Sequence, residues 1–163
     1  MKRQETIAIE KALQKSLFGS NPKLAKYYGT TEVTIGFQRN GNGKEIVDFL
    51  SYDPKEDVFR CYEIKVTMAD FKSKAKKSWY GNYNYLVLSE NLYKQRPLKE
   101  WVEDVPSNVG IVVVNTSSLS VKCVAKSTKV EIANSTKEAL KNSLIRTLFY
   151  QNQKANWYLR GQE

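Results

Sequence analysis

Glu63 and Lys65 stand two residues apart in segment 58–66, which is rich in β-branched and aromatic residues and reads as a strand. Strand side chains alternate faces, so this acid and this base point the same way. One reading is an edge strand with a solvated face. The other is a Glu-x-Lys unit in which the carboxylate holds a metal ion and the ammonium steers a nucleophile. A third charged residue, Asp48, lies one predicted strand earlier, across a turn at 53–57. With that turn centred between Lys55 and Glu56, Tyr52 faces Phe59, Leu50 faces Cys61, and Asp48 faces Glu63. Opposed Cβ atoms sit about 4.5–5.5 Å apart, and like charges that close are unfavourable unless a cation lies between them. A two-residue change of register keeps Asp48 on the same face; a one-residue slip moves it to the other.

The elements that must position these residues can be read in order. Residues 5–18 predict a helix with Ile9, Leu13 and Leu17 as its apolar stripe; Glu10 borders that stripe on one side and Glu5 on the other. Residues 22–29 predict a short helical turn or a loop. Strands follow at 32–37, 44–52 and 58–66, giving an antiparallel meander. Leu50, Tyr52, Phe59 and Cys61 are expected on one face, and Val47, Phe49, Val58, Tyr62, Ile64 and Val66 on the other, so the sheet should be covered on both sides.

Thr67 and Asp70 have the spacing of a capping box, a structural role, and open a helix carrying Lys72, Lys74, Lys76 and Lys77. Phe71, Ala75 and Trp79 are its candidate buried residues. The strand at 83–88 follows a helical crossover and should run parallel to a meander strand. A helix around 98–102, a buried strand at 109–114 and an edge strand at 119–124 come next. Ser135 and Glu138 suggest a second capping box, opening a helix with Leu140, Leu144, Ile145 and Leu148. Trp157 and Tyr158, in the tail, are expected to dock against the body, with base stacking as the alternative.

Composition narrows the chemistry. The chain has 163 residues, enough for one domain with a real core, and neither repeat nor linker is evident. It contains no histidine, which excludes Ser-His-Asp triads, Cys-His dyads and imidazole zinc sites. Any metal should be a hard ion held by oxygen, magnesium or manganese. Cys61 and Cys123 fit no paired-ligand spacing and are expected to be buried, reduced thiols. No long apolar run or signal-peptide core is present, which predicts a cytoplasmic protein without a membrane partner.

Net charge is +9, and residues 60–99 alone carry 9 basic and 3 acidic side chains, or +6. A positive field next to the Glu-x-Lys strand favours a polyanionic partner, nucleic acid first. Lysines at 72, 74, 76 and 77 are placed to contact phosphates, although a solvated helix face fits them equally.

Helix, three antiparallel strands, helix and strand, with Asp48 and the pair Glu63 and Lys65 on adjacent strands, resembles the PD-(D/E)XK superfamily of restriction-endonuclease-like nucleases. The motifs at 47–50 and 62–72 look like its MmcB-like, DNA-repair-associated branch, and segments 86–92 and 110–113 extend the likeness over most of the chain. Val47 stands where the superfamily often has proline, a difference without consequence for the chemistry.

The resemblance implies an α/β fold with an αβββαβ core, a mixed central sheet flanked by helices, and extra C-terminal strands and helix. It also implies magnesium- or manganese-dependent hydrolysis of DNA phosphodiesters. Asp48, Glu63 and the Ile64 carbonyl would hold the ion, and Lys65 would orient or help deprotonate the attacking water. Glu10, or failing it Glu5, would anchor a second ion or its water. A homodimer is one arrangement such folds adopt on duplex DNA. Two rivals stand beside this expectation: a nucleic-acid-binding module that keeps the fold without catalysis, and an interaction protein whose basic surface is incidental.

Overall fold

The computed structural model describes residues 1–35, 45–73 and 79–161. Helix α1 (Gln4–Phe18) ends at Gly19, and a single 3-10 turn (Pro22–Leu24) follows, its first amides capped by Asn21. Strands β1 (Tyr28–Ile35), β2 (Glu45–Asp53) and β3 (Val58–Lys65) form the expected antiparallel meander. Helix α2 (Met68–Lys72) leads to β4 (Tyr83–Ser89), which runs parallel to β3 as the crossover requires. Two short helices, α3 (Glu90–Tyr93) and α4 (Leu98–Glu103), precede β5 (Val109–Val114), parallel to β4. Edge strand β6 (Val121–Ala125) pairs antiparallel with β5, and the long helix α5 (Asn134–Arg160) closes the chain. The strands lie side by side in chain order, one mixed six-stranded sheet with helices on both faces.

Each face has its own core. Ile9, Ala12 and Leu13 of α1 pack on Phe49, Tyr62, Ile64, Val87 and Val112. On the opposite face Leu140 and Leu144 of α5 cover Val33, Val47, Leu50, Phe59 and Cys61, and Phe71, Leu92 and Trp101 cover Leu86, Leu88 and Ile111. Two buried asparagines at the start of β4 fix its level against β3. Asn82 Oδ1 accepts the Phe59 amide at 3.0 Å, and Asn84 bonds both the N–H and the C=O of Gly81. Gly29 is needed where β1 crosses β2, since a Cβ there would lie 2.5 Å from the Leu50 carbonyl oxygen.

Several expectations need correction. Strand β1 begins at Tyr28, within the stretch read as turn or loop, because it follows Tyr52 and Ser51 of β2 to the end of the hairpin. Val47 packs with Leu50 and Leu140, and not with Phe49 two residues on. Across the ladder Glu32, the position opposing Asp48, has a left-handed backbone (φ 53°), so the pairing of β1 with β2 is interrupted at this same level. Helix α5 starts at Asn134 after Ala133, with no side-chain cap, so Ser135 does not open it.

The same helix continues to Arg160, and Trp157 and Tyr158 are exposed on it instead of docked. Cys61 is buried as expected, but Cys123 is exposed on the edge strand β6. Phe71 is buried, Trp79 is half-buried, and Ala75 lies outside the described residues. Among the described residues no helix is long and apolar enough to cross a membrane.

Candidate active site

The hairpin register is the one its turn chemistry predicts. Asp53 accepts the amides of Lys55 and Glu56, and the pairs Tyr52–Phe59, Leu50–Cys61 and Phe49–Tyr62 follow. The ladder stops at Phe49–Tyr62. Asp48 and Glu63 would be the next pair, but the Ile64 amide donates to Asp48 Oδ2 at 2.7 Å. A side chain has replaced a backbone acceptor at this point. In an extended strand the N–H and C=O of one residue point the same way, so the Ile64 carbonyl also faces Asp48.

Glu63 and Lys65 are almost fully enclosed, 4% and 7% exposed. They pair across the ladder with Leu86 and Leu88, which places them on the face covered by α2 and Trp101. Lys65 Nζ lies 4.0 Å from Glu63 Oε2 and 3.6 Å from Asp70 Oδ1. Burial raises the Asp48 carboxyl above its ordinary value; the Ile64 amide, Glu63 and the Lys65 charge pull the other way without cancelling it. The half-buried Asp48 and the buried Glu63 thus share one ammonium, for which the Asp70 carboxylate also competes.

Asp70 is the residue that sequence reasoning assigned to structure alone. Thr67 does cap α2, its hydroxyl accepting the Asp70 amide at 3.2 Å. The Asp70 carboxylate turns instead toward Lys65. Its position three residues into a helix that starts directly after Lys65 was a signal for that contact, since one helical turn brings it back over the strand end.

Glu10 has another partner. Lys2 Nζ sits 2.6 Å from Glu10 Oε1 and 3.1 Å from Glu32 Oε1. Partial burial lowers the Lys2 ammonium, but bonds to both carboxylates outweigh it and the net shift is upward. Glu10 is therefore linked through Lys2 to Glu32, the β1 neighbour of Asp48, while Glu5 is half-buried on the same helix. Among the described residues no group of three or more acidic or cysteine side chains comes together to hold a metal. Lys72 is exposed at the end of α2; Lys74, Lys76 and Lys77 lie outside the described residues.

The donor set on β2 and β3 suits a hard divalent ion. It offers the two carboxylates of Asp48 and Glu63 and the Ile64 carbonyl, all oxygen, and magnesium is commonly held by one or two carboxylates with several waters retained.

No protein-family model matches the chain, and no curated protein matches it in sequence. Three solved structures are similar. A protein of unknown function from Silicibacter pomeroyi is 15% identical with a TM-score of 0.64, the match covering 96% of this chain and 92% of that one. An XisH family protein from Nostoc punctiforme is 12% identical, TM-score 0.43, over 74% of this chain and 97% of its own. An fdxN element excision controlling factor protein from Anabaena variabilis is 14% identical, TM-score 0.44, over 75% and 99%. The mixed six-stranded α/β fold of this chain is thus shared, nearly end to end, with the Silicibacter protein.

Proposed function

We propose that this chain is a metal-dependent DNA phosphodiesterase of the PD-(D/E)XK type, using Asp48, Glu63 and Lys65, within or near the MmcB-like branch. One observation carries the reading: Asp48 interrupts the β2–β3 ladder opposite Glu63, with its carboxylate on the Ile64 amide and the Lys65 ammonium beside Glu63. A purely structural hairpin gains nothing from a buried Glu63 beside a half-buried Asp48 at that place.

In this reading Asp48, Glu63 and the Ile64 carbonyl hold magnesium or manganese. The bound ion supplies Lewis acidity toward a phosphate oxygen and lowers the pKa of water. The chain does the rest. The Ile64 amide fixes the Asp48 carboxylate, so its orientation requires no reorganisation when the ion enters. Lys65, held between Glu63 and Asp70, keeps its ammonium at the strand end, where it can hydrogen-bond an attacking water and offset charge on the phosphate. Glu10 acts only after release from Lys2. Lys72 and the lysines at 74, 76 and 77 supply sequence-independent phosphate contacts.

The test is incubation of single-stranded, duplex and branched DNA with the protein and magnesium or manganese. Cleavage is expected with wild type and lost in Asp48→Ala and Lys65→Ala. If no DNA form is cut, or both variants cut as well as wild type, the enzyme reading fails.

The sequestration of Glu10 by Lys2 favours a second reading, a nucleic-acid-binding module that has kept the fold without catalysis. It predicts salt-sensitive DNA binding that is indifferent to Asp48→Ala and to chelation.

A further inference from the structure

Helix α1 stops at Phe18, whose ring stacks on Phe49. Beyond it the same face of the sheet is aromatic and only half covered: Tyr27, Tyr83 and Tyr85 are all half-buried. Arg60 lies among them. Strand alternation points it away from Glu63 and Lys65, to the side of Tyr62 and Ile64. Its guanidinium sits 4.9 Å from the centre of the Tyr83 ring and 5.7 Å from that of Tyr27, and it bonds the Tyr85 hydroxyl. Nη1 is enclosed and has no hydrogen-bond acceptor.

A guanidinium carries five N–H donors, and an enclosed one left unpaired is costly. Two acids of the adjoining turn are engaged elsewhere. Asp53 takes the amides of Lys55 and Glu56, and Asp57 is held by Tyr52, Lys137 and Lys141. The fold keeps a cation between ring faces with a donor to spare.

We infer that Arg60, Tyr27, Tyr83 and Tyr85 bind single-stranded nucleic acid, a phosphate oxygen accepting from the guanidinium and the neighbouring base stacking on a tyrosine ring. The combination fits a strand better than a bare phosphate or an acidic peptide. Ring faces add nothing to the capture of phosphate or carboxylate, whereas every base has a face to stack. Bases inside a duplex already stack on one another, so only unpaired ones can meet the tyrosines. Tyr27 is the entry. It precedes the first β1–β2 pair, Tyr28–Tyr52, so no ladder holds it, and its ring is the more distant of the two; turning it aside uncovers the guanidinium. Lys23 and Lys26, exposed on the segment that delivers Tyr27, extend the positive surface to flanking phosphates. The site faces away from Glu63 and Lys65, needs no metal, and stands whether or not Asp48 and Glu63 serve hydrolysis.

The test is fluorescence anisotropy of a labelled oligothymidylate with EDTA present, which takes metal out of the measurement. Binding should weaken about 5- to 150-fold in Tyr83→Leu, the loss of one stacked base, and stay within about twofold of wild type in Tyr83→Phe. Arg60→Gln should lower the slope of log affinity against log salt by roughly 0.7, one phosphate contact on a single strand. Circular dichroism checks that the variants fold. Wild type supplies an independent readout: on irradiation, an oligothymidylate carrying iododeoxyuridine should crosslink to Tyr27, Tyr83 or Tyr85. No strand bound at about 100 µM protein, the weak end of non-specific affinities, overturns the inference. So does a duplex of the same length or a polyglutamate peptide that binds as tightly as the strand, or inorganic phosphate that competes at the strand's own concentration. Unchanged affinity in both Tyr83→Leu and Arg60→Gln, or crosslinks confined to other residues, overturns it as well.

Discussion

Replacing Asp48 by asparagine should stabilise the protein at alkaline pH while removing the metal binding proposed above. The carboxamide keeps an oxygen that can accept the Ile64 amide, so the hydrogen bond at 2.7 Å survives and only the charge is lost. Removing a charge that burial disfavours is worth about 0.5–1 kcal/mol. At about 2–4 °C per kcal/mol for a chain of this size, Tm should rise by roughly 1–4 °C near pH 8. The sign follows from burial, which holds the Asp48 carboxyl above its ordinary value of 3.8. The native state then binds more protons than the unfolded chain, so stability falls as pH rises from about 4 through the folded-state value. The gain in the variant should therefore vanish near pH 4.

Magnesium adds a second readout for the same substitution. At ten times its dissociation constant the ion should stabilise wild type by about 1.4 kcal/mol and the variant by much less. Thermal unfolding at pH 4 and pH 8, with and without magnesium, measures all four states. A variant no more stable than wild type at pH 8, or equally stabilised at both pH values, would refute the electrostatic account of this hairpin.

Asp70→Asn should slow metal-dependent cleavage about two- to fivefold, the effect of a half-exposed ion pair of about 0.5–1 kcal/mol, with Asp70→Glu restoring the rate. Because Thr67 caps the backbone amide of Asp70 and not its carboxylate, Tm should fall by no more than the roughly 1–4 °C that the ion pair is worth. Trp101→Ala should destabilise by about 3–5 kcal/mol in urea titration, since the indole is fully buried against Phe71 and donates to the Tyr93 carbonyl. Asp57 is held at a pKa of about 2 by Tyr52, Lys137 and Lys141, so it contributes stability above pH 4 that is lost as pH falls through 2. Asp57→Asn should flatten the decline of the urea midpoint between pH 4 and 2; an unchanged slope would count against this clamp of α5 on the hairpin.

The core of the site was legible because a short turn fixes a register, and register fixes who faces whom. Asp53 and Pro54 set the hairpin, and the pairs from Asp53–Val58 to Phe49–Tyr62 follow without freedom. The helix cap at Thr67 and the parallel crossover to β4 were readable for the same reason: each is a local rule acting over a few residues. What escaped depends on tertiary partners. The left-handed Glu32 opposite Asp48 has no side-chain signature, and the Lys2 bridge ties the start of the chain to α1 and to a distant strand at once. Asp70 looked like a cap because its spacing satisfies two roles at once. The far end of α5 was missed because Gln151, Asn152, Gln153 and Lys154 look like the solvated end of a helix, yet no glycine or proline stops it before Gly161.

The hairpin that carries Asp48 and Glu63 has a consequence for the order of folding. Both carboxylates belong to adjacent strands joined by one tight turn, whereas β4 must wait for the α2 crossover before it can pair with β3. Hairpins close in about 1–10 µs, well before long-range pairing completes. The cost of burying the Asp48 charge therefore enters early, in the nucleus, and should appear as a barrier to folding rather than as a faster route to unfolding. In a chevron plot Asp48→Asn should lift the refolding limb and leave the unfolding limb nearly in place.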